Sequence, residues 1–153
     1  MQAALTTHQI KLVQESFAKV APIAETAAAL FYKRLFELDA GLVWLFPTEL
    51  TEQGRKLMTM IGVAVGGLSD LEALVPAVQD LGRRHVGYGV DAQDYGTVGQ
   101  ALLWTLEQGL GAAFTPEVRE AWTAVYTLLA QTMIAAAETQ APTHQRQLAP
   151  RAA

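Results

Sequence analysis

The chain contains no cysteine, which excludes disulfides, thiolate catalysis, cysteine-held zinc or iron–sulfur clusters, and any cofactor attached through a thioether. It also lacks a strong charge of either sign. Eleven Lys and Arg stand against 15 Asp and Glu, a formal net charge of −4, and the pI is about 5.3. Nucleic-acid binding rests on clustered cations that neutralise phosphates, so this balance argues against such a partner. Long apolar runs are missing as well. The most apolar stretch, residues 58–68, is interrupted by Thr59 and crowded with glycine. It falls well short of the roughly 20 residues that a membrane-spanning helix needs. The opening MQAALTTHQI has no basic segment followed by an apolar one, so no secretory signal is expected. Together these absences predict a soluble, cytoplasmic protein that uses neither membrane nor nucleic acid.

What is present is apolar bulk at helical spacing. The 153 residues are 51% hydrophobic, enough for one domain that buries about 70% of its surface on folding. No stretch alternates Val, Ile, Thr and aromatics as a strand would, whereas three-and-four spacing recurs throughout. Thr6 with Gln9 has the form of a capping box before Ile10, Val13 and Phe17. Pro22 suits the first turn of a second helix that turns Ala28, Phe31, Tyr32, Leu35 and Phe36 inward. After the short segment LVWLFP, a third helix is expected near Thr51, with Gln53, Leu57, Ile61 and Ala64 on one stripe; Ser69 and Asp70 interrupt it. A fourth is expected from Pro76 to His85, stopped by Gly87 and Gly89. Asp91 or Asp94 caps a fifth, which aligns Tyr95, Val98, Leu102 and Leu106. Thr115 as N-cap, Pro116 as first helical residue and Glu117 at the positive end of the dipole open the last helix. Its stripe is Val118, Trp122, Tyr126, Leu129 and Met133. The prediction is an all-α fold of six to seven helices over residues 1–138, followed by a proline-broken tail over 139–153.

Three histidines are available, and their settings differ. His8 falls in the first helical turn and His144 in the tail, where both are expected to be solvated. His85 shares a face with Val78 and Leu81 and precedes a glycine-rich exit. A neutral imidazole in such a place is either a hydrogen-bonded core residue or a ligand for iron, and His85 alone does not separate the two.

The order of residues around it does. Tyr32 in FYKRLF, Phe46 in WLFP, Gln53 and Leu57 in TEQGRKLM, His85 in LGRRHVGYG and Tyr95 in DYGTVGQALL follow one another at set intervals. Tyr32 to Phe46 is 14 residues and Gln53 to His85 is 32. This pattern resembles the globin family, above all the bacterial single-domain haemoglobins and the haem domains of flavohaemoglobins, over residues 5 to 138. The resemblance implies a globin fold around haem b (iron protoporphyrin IX), with His85 as the iron ligand. It implies that Phe46 stacks on the porphyrin, that Tyr32 and Gln53 hydrogen-bond a gaseous ligand, and that Leu57 flanks that ligand. It also implies that Tyr95 stands beside the histidine. Leu81, Val90 and Val98 are expected to cover the ring on the histidine side, and Arg84 to meet a propionate, with Arg55 and Lys56 as further candidates. In flavohaemoglobins a glutamate late in the last helix joins the histidine and tyrosine. Here that position is Ala137 with Glu138 beside it, and one residue along a helix is about 100° of rotation, which turns Glu138 toward solvent.

The expected activity is reversible binding of O2, and of NO and CO, for storage, delivery or scavenging. With glutamine at residue 53 no second histidine reaches the iron, so the sixth position is expected to be open or held by water. Two other readings stand beside it. One is NO dioxygenation, which draws electrons from a separate reductase because no glycine-rich nucleotide fingerprint occurs in the chain. The other is a globin-like sensor or interaction domain that holds no haem.

Overall fold

The computed structural model describes residues 5–45, 50–87 and 92–140, and among these residues there is helix and no strand. Six α-helices follow in order: α1 (Thr7–Val20), α2 (Ala24–Leu38), α3 (Leu50–Gly67), α4 (Leu71–Gly87), α5 (Ala92–Leu110) and α6 (Pro116–Gln140). Short 310 turns cover Ala21–Ile23, Ala40–Leu45 and Gly111–Ala113. The all-α prediction therefore holds. None of the described helices is long and apolar enough to cross a membrane.

Local chemistry sets most of the boundaries. The Thr6 hydroxyl accepts from the Gln9 amide at 3.0 Å while the Gln9 side chain accepts from the Thr6 amide at 3.0 Å, so both halves of the capping box form. Thr115 accepts from the Val118 amide at 3.2 Å ahead of Pro116. Pro22 sits inside the 310 turn before α2, and the α-helix proper starts at Ala24. The helix expected to begin at Pro76 starts instead at Leu71, with Pro76 internal. The cause is Asp70: its carboxylate accepts from the Ala73 amide at 3.4 Å and its carbonyl from the Leu74 amide at 3.1 Å. Asp70 is thus the cap of α4 rather than an interruption of α3. Pro76 forgoes one backbone bond, which the packing of α4 tolerates. α5 begins at Ala92, so Asp94 lies within its first turn and is buried, and Asp91 lies outside the described residues. α6 continues to Gln140, two residues past the predicted end of the domain at 138, and 141–153 lie outside the described residues.

Two apolar clusters hold these helices together. The larger draws on α1, α3, α4, α5 and α6 through Val13, Val20, Val65, Leu68, Leu74, Val78, Leu106, Trp122 and Val125. At its centre Trp122 Nε1 donates to Ser16 Oγ at 2.8 Å, so the one polar atom of a buried indole is satisfied. The smaller cluster gathers Phe31, Tyr32, Leu35, Leu42 and Ala101, with Phe36, Leu57, Val98 and Leu102 packed on its edge. α4 lies mainly on α6, α2 lies on α3 and α5, and α3 touches α4 only sparingly. Near the turn that joins them, Gly67 meets Leu74: a Cβ there would stand 2.9 Å from a Leu74 methyl.

The approach of α2 to α3 depends on size. A Cβ on Gly54 would lie 2.8 Å from the Cβ of Ala28, whereas one on Gly66 would meet nothing within 4 Å. Gly54→Val should therefore lower the unfolding free energy by about 1–3 kcal/mol through overpacking. Gly66→Ala should raise it by up to about 1 kcal/mol through helix propensity. Chemical denaturation of the two variants checks the contrast; equal effects would contradict it.

Candidate functional site

His85 stands in the last turn of α4, half-buried, and its Nδ1 lies 2.8 Å from the carbonyl oxygen of Leu81. A carbonyl can only accept, so Nδ1 carries the proton and the neutral ring holds its lone pair on Nε2. Burial lowers the affinity of the imidazole for a second proton; the bond to Leu81 opposes this and the charge of Arg84 adds to it. The net effect keeps the ring neutral, the form that binds a transition metal. Tyr95, in the first turns of α5, faces it with ring centroids 6.2 Å apart and planes at 30°. Burial, then the neighbouring Asp94 carboxylate, push the Tyr95 phenol up to about 12, so it keeps its proton. Tyr126 on α6 donates to the Tyr95 carbonyl at 2.7 Å.

The remaining candidates lie on α2 and α3. Tyr32 is buried at 5% exposure, with Phe31 edge-on at 5.2 Å and Phe36 stacked at 6.1 Å. Burial raises its phenol to about 12, which keeps the hydroxyl a hydrogen-bond donor across the physiological range. The Gly54–Ala28 crossing brings the start of α3 against this ring, since a Cβ on Gly54 would also lie 3.8 Å from Tyr32 Cε2. Gln53 is the preceding residue and Leu57 follows one turn on; both are half-buried. Leu57 and Val98 share the Tyr32 cluster, while Leu81 and Tyr95 pack on the larger core.

The other predicted positions divide. Arg84 is half-exposed and pairs with Asp80 at 3.3 Å. Arg55 reaches Glu25 and Lys56 reaches Glu52, each at 3.9 Å and largely in solvent. Exposed pairs of this kind are worth at most about 1 kcal/mol, so all three cations remain able to exchange partners. Glu138 is exposed, as the helical rotation from Ala137 predicts. His8 is exposed and lies 3.4 Å from Glu117. Phe46, Val90 and His144 lie outside the described residues.

Comparison with known proteins places this architecture. The family model described as Globin matches residues 29–133, most of the chain. The chain belongs to the globin family. It is 32% identical to neuroglobin of Danio rerio over 136 residues, covering 80% of this chain and 86% of that one. It is 35% identical to neuroglobin of Chaenocephalus aceratus over 118 residues, covering 68% and 74%. Among solved structures, an engineered carbene transferase, from a candidate nitric oxide dioxygenase of Rhodothermus marinus, superposes with a TM-score of 0.80 at 23% identity. That match covers 89% of this chain and 95% of the other. A flavohaemoglobin of Malassezia yamatoensis with bound FAD and haem gives 0.74 at 23% identity; the match covers 90% of this globin and 37% of that longer chain. At such identity the structural matches speak for the fold.

Sequence reasoning passed over some features of this globin. The tie from Tyr126 to the Tyr95 backbone spans 31 residues and no local pattern announces it. Gly82, one turn before His85, lies against the backbone of α6 at Met133. A cavity of about 20 Å³ with a wholly apolar lining opens among Phe17, Phe31, Leu57, Ile61, Leu106 and Trp122.

The lowered proton affinity of His85 has a sign that can be measured. The unfolded chain protonates this imidazole near pH 6.5 while the folded chain resists. The resulting stability is present above that pH and is lost as pH falls below it toward the folded value. Urea midpoints of the cofactor-free protein should drop between about pH 7 and 5, and less steeply in His85→Gln. Equal slopes for both proteins would contradict the assignment.

Proposed function

We propose that this globin holds one haem b through His85 and reversibly binds O2, NO and CO on the face that carries Tyr32 and Gln53. The observation that carries the reading is the state of His85: neutral, half-buried, with Nδ1 committed to the Leu81 carbonyl and its lone pair on Nε2. The surrounding residues suit a flat apolar ring. Leu57, Phe36 and Val98 border it from one cluster and Leu81 and Tyr95 from the other, all with apolar surface to spare. Arg84, Arg55 and Lys56, in exposed ion pairs, are the candidates for the propionates.

The haem, once held, supplies an iron that forms a reversible coordination bond with a diatomic gas. The protein's share is to exclude water and to present donors. Tyr32 keeps its proton because burial holds the phenol at about 12, and Gln53 adds an amide donor from the first turn of α3. A hydrogen bond to a ligand that gains negative charge contributes about 1.5–3 kcal/mol, roughly 10- to 150-fold in affinity, expressed mainly in slower release. Leu57 supports this pair without a polar group of its own.

NO oxidation is the second reading, supported by the fold neighbour from Rhodothermus marinus described as a candidate nitric oxide dioxygenase. It requires electrons from a reductase. Nitrate formed from NO and O2 only when a reductase is added distinguishes this turnover from simple binding.

Two substitutions test the main reading. Tyr32→Phe should speed O2 release about 10-fold or more in stopped-flow measurements; an unchanged rate would remove Tyr32 from the ligand site. His85→Ala should abolish stable haem incorporation, and a variant that retains full haem with an unaltered Soret band would overturn the assignment of the iron ligand.

A further inference from the structure

Two glycines, on α4 and α5, let those helices lie against a single stripe of α6. A Cβ on Gly82 would stand 2.6 Å from the Cα and 2.8 Å from the carbonyl carbon of Met133, and closer still to its carbonyl oxygen. Carbon atoms at rest sit about 3.5–4.0 Å apart. The obstacle is backbone, so no change of rotamer makes room. Seven residues earlier, on the same face of α6, the Tyr126 ring meets α5. A Cβ on Gly99 would lie 2.8 Å from its Cε2 and 3.1 Å from its Cδ2. The ring cannot swing aside without straining its 2.7 Å bond to the Tyr95 carbonyl.

The placement of these contacts relates them to the site. Gly82 precedes His85 by one turn of α4, and Gly99 follows Tyr95 by one turn of α5. His85 and Tyr95 are the two side chains whose rings face each other at 6.2 Å. Elsewhere in the fold, Gly66 and Gly96 meet nothing within 4 Å, so close approach is not a general property of the glycines in these helices.

We propose that Gly82 and Gly99 are positioning residues: by seating α4 and α5 on α6 they set the His85 imidazole relative to the Tyr95 ring, and with it the strength of the bond His85 makes to a bound iron. The inference rests on the haem-binding reading above. It assigns to α6, which supplies none of the proposed haem ligands or donors, control over the ligand side of the iron. A purely packing role for the two glycines predicts a loss of stability and nothing more.

The test uses the full chain reconstituted with haem, and reads the iron–histidine stretching band of the ferrous protein by resonance Raman together with the rate of haem transfer to an acceptor. Gly82→Ala and Gly99→Ala should each displace the band and speed haem loss roughly 10-fold, while Gly66→Ala should do neither. In a His85→Gly background with free imidazole as the ligand, the ring is untethered from α4 and Gly82→Ala should no longer move the band. An unmoved band in both variants, or a displacement by Gly82→Ala that persists with free imidazole, overturns the proposal. If Gly82→Ala does not fold, Gly99→Ala decides it alone, a displaced band supporting and an unmoved one refuting. A wild-type protein that shows no such band refutes the haem reading itself, whereas a normal wild-type band unmoved by either variant refutes only this inference.

Discussion

The hydrogen bond from His85 Nδ1 to the carbonyl of Leu81 orders the rest of the site, because it decides which nitrogen carries the proton and how the ring is turned. An imidazole in the last turn of a helix has the carbonyl one turn back within reach, and here burial adds the reason for the ring to stay neutral. A ring held this way has little rotamer entropy left to lose. In the proposed function, the Tyr32 phenol and the Gln53 amide act on the far side of an iron held by that lone pair.

The framework around it includes close contacts made by glycines. Gly54 on Ala28 brings α3 against the Tyr32 ring, Gly67 on Leu74 makes the α3–α4 turn tight, and Gly82 and Gly99 bring α4 and α5 onto α6. Each contact trades some helix propensity for a shorter distance between helix axes. The ion pairs on the outside, all exposed, have little share in this arrangement.

How far the sequence was legible depended on whether a signal was local. The Thr6–Gln9 box and the Thr115–Pro116 start were read correctly because capping is complete within four residues. The start of α4 was misplaced because proline is most at home in a first turn, and Pro76 outweighed Asp70, whose side chain and carbonyl do the capping. Of the expected site, Tyr32 lies in the smaller apolar cluster with Leu57 and Val98 packed against it, Leu81 and Tyr95 pack on the larger core, and the His85 and Tyr95 rings stand 6.2 Å apart. The crossings were illegible. Gly66, which faces open space, and Gly82, which faces a backbone, look alike in one dimension, and only the packed structure tells them apart. The Tyr126 bond to Tyr95 is of the same kind, since its partners are brought together by the angle between α5 and α6.

The central claim is that this chain presents one imidazole to a haem and leaves the far side for gas. The most direct measurement is an optical titration of the purified protein with haem, followed by reduction and exposure to CO. The account predicts saturation at one haem per chain, a ferrous spectrum of five-coordinate iron, and its conversion to a sharp CO-bound Soret band. A titration that yields only the spectrum of free haem, or a ferrous iron already six-coordinate through two protein ligands before any gas is added, would contradict it.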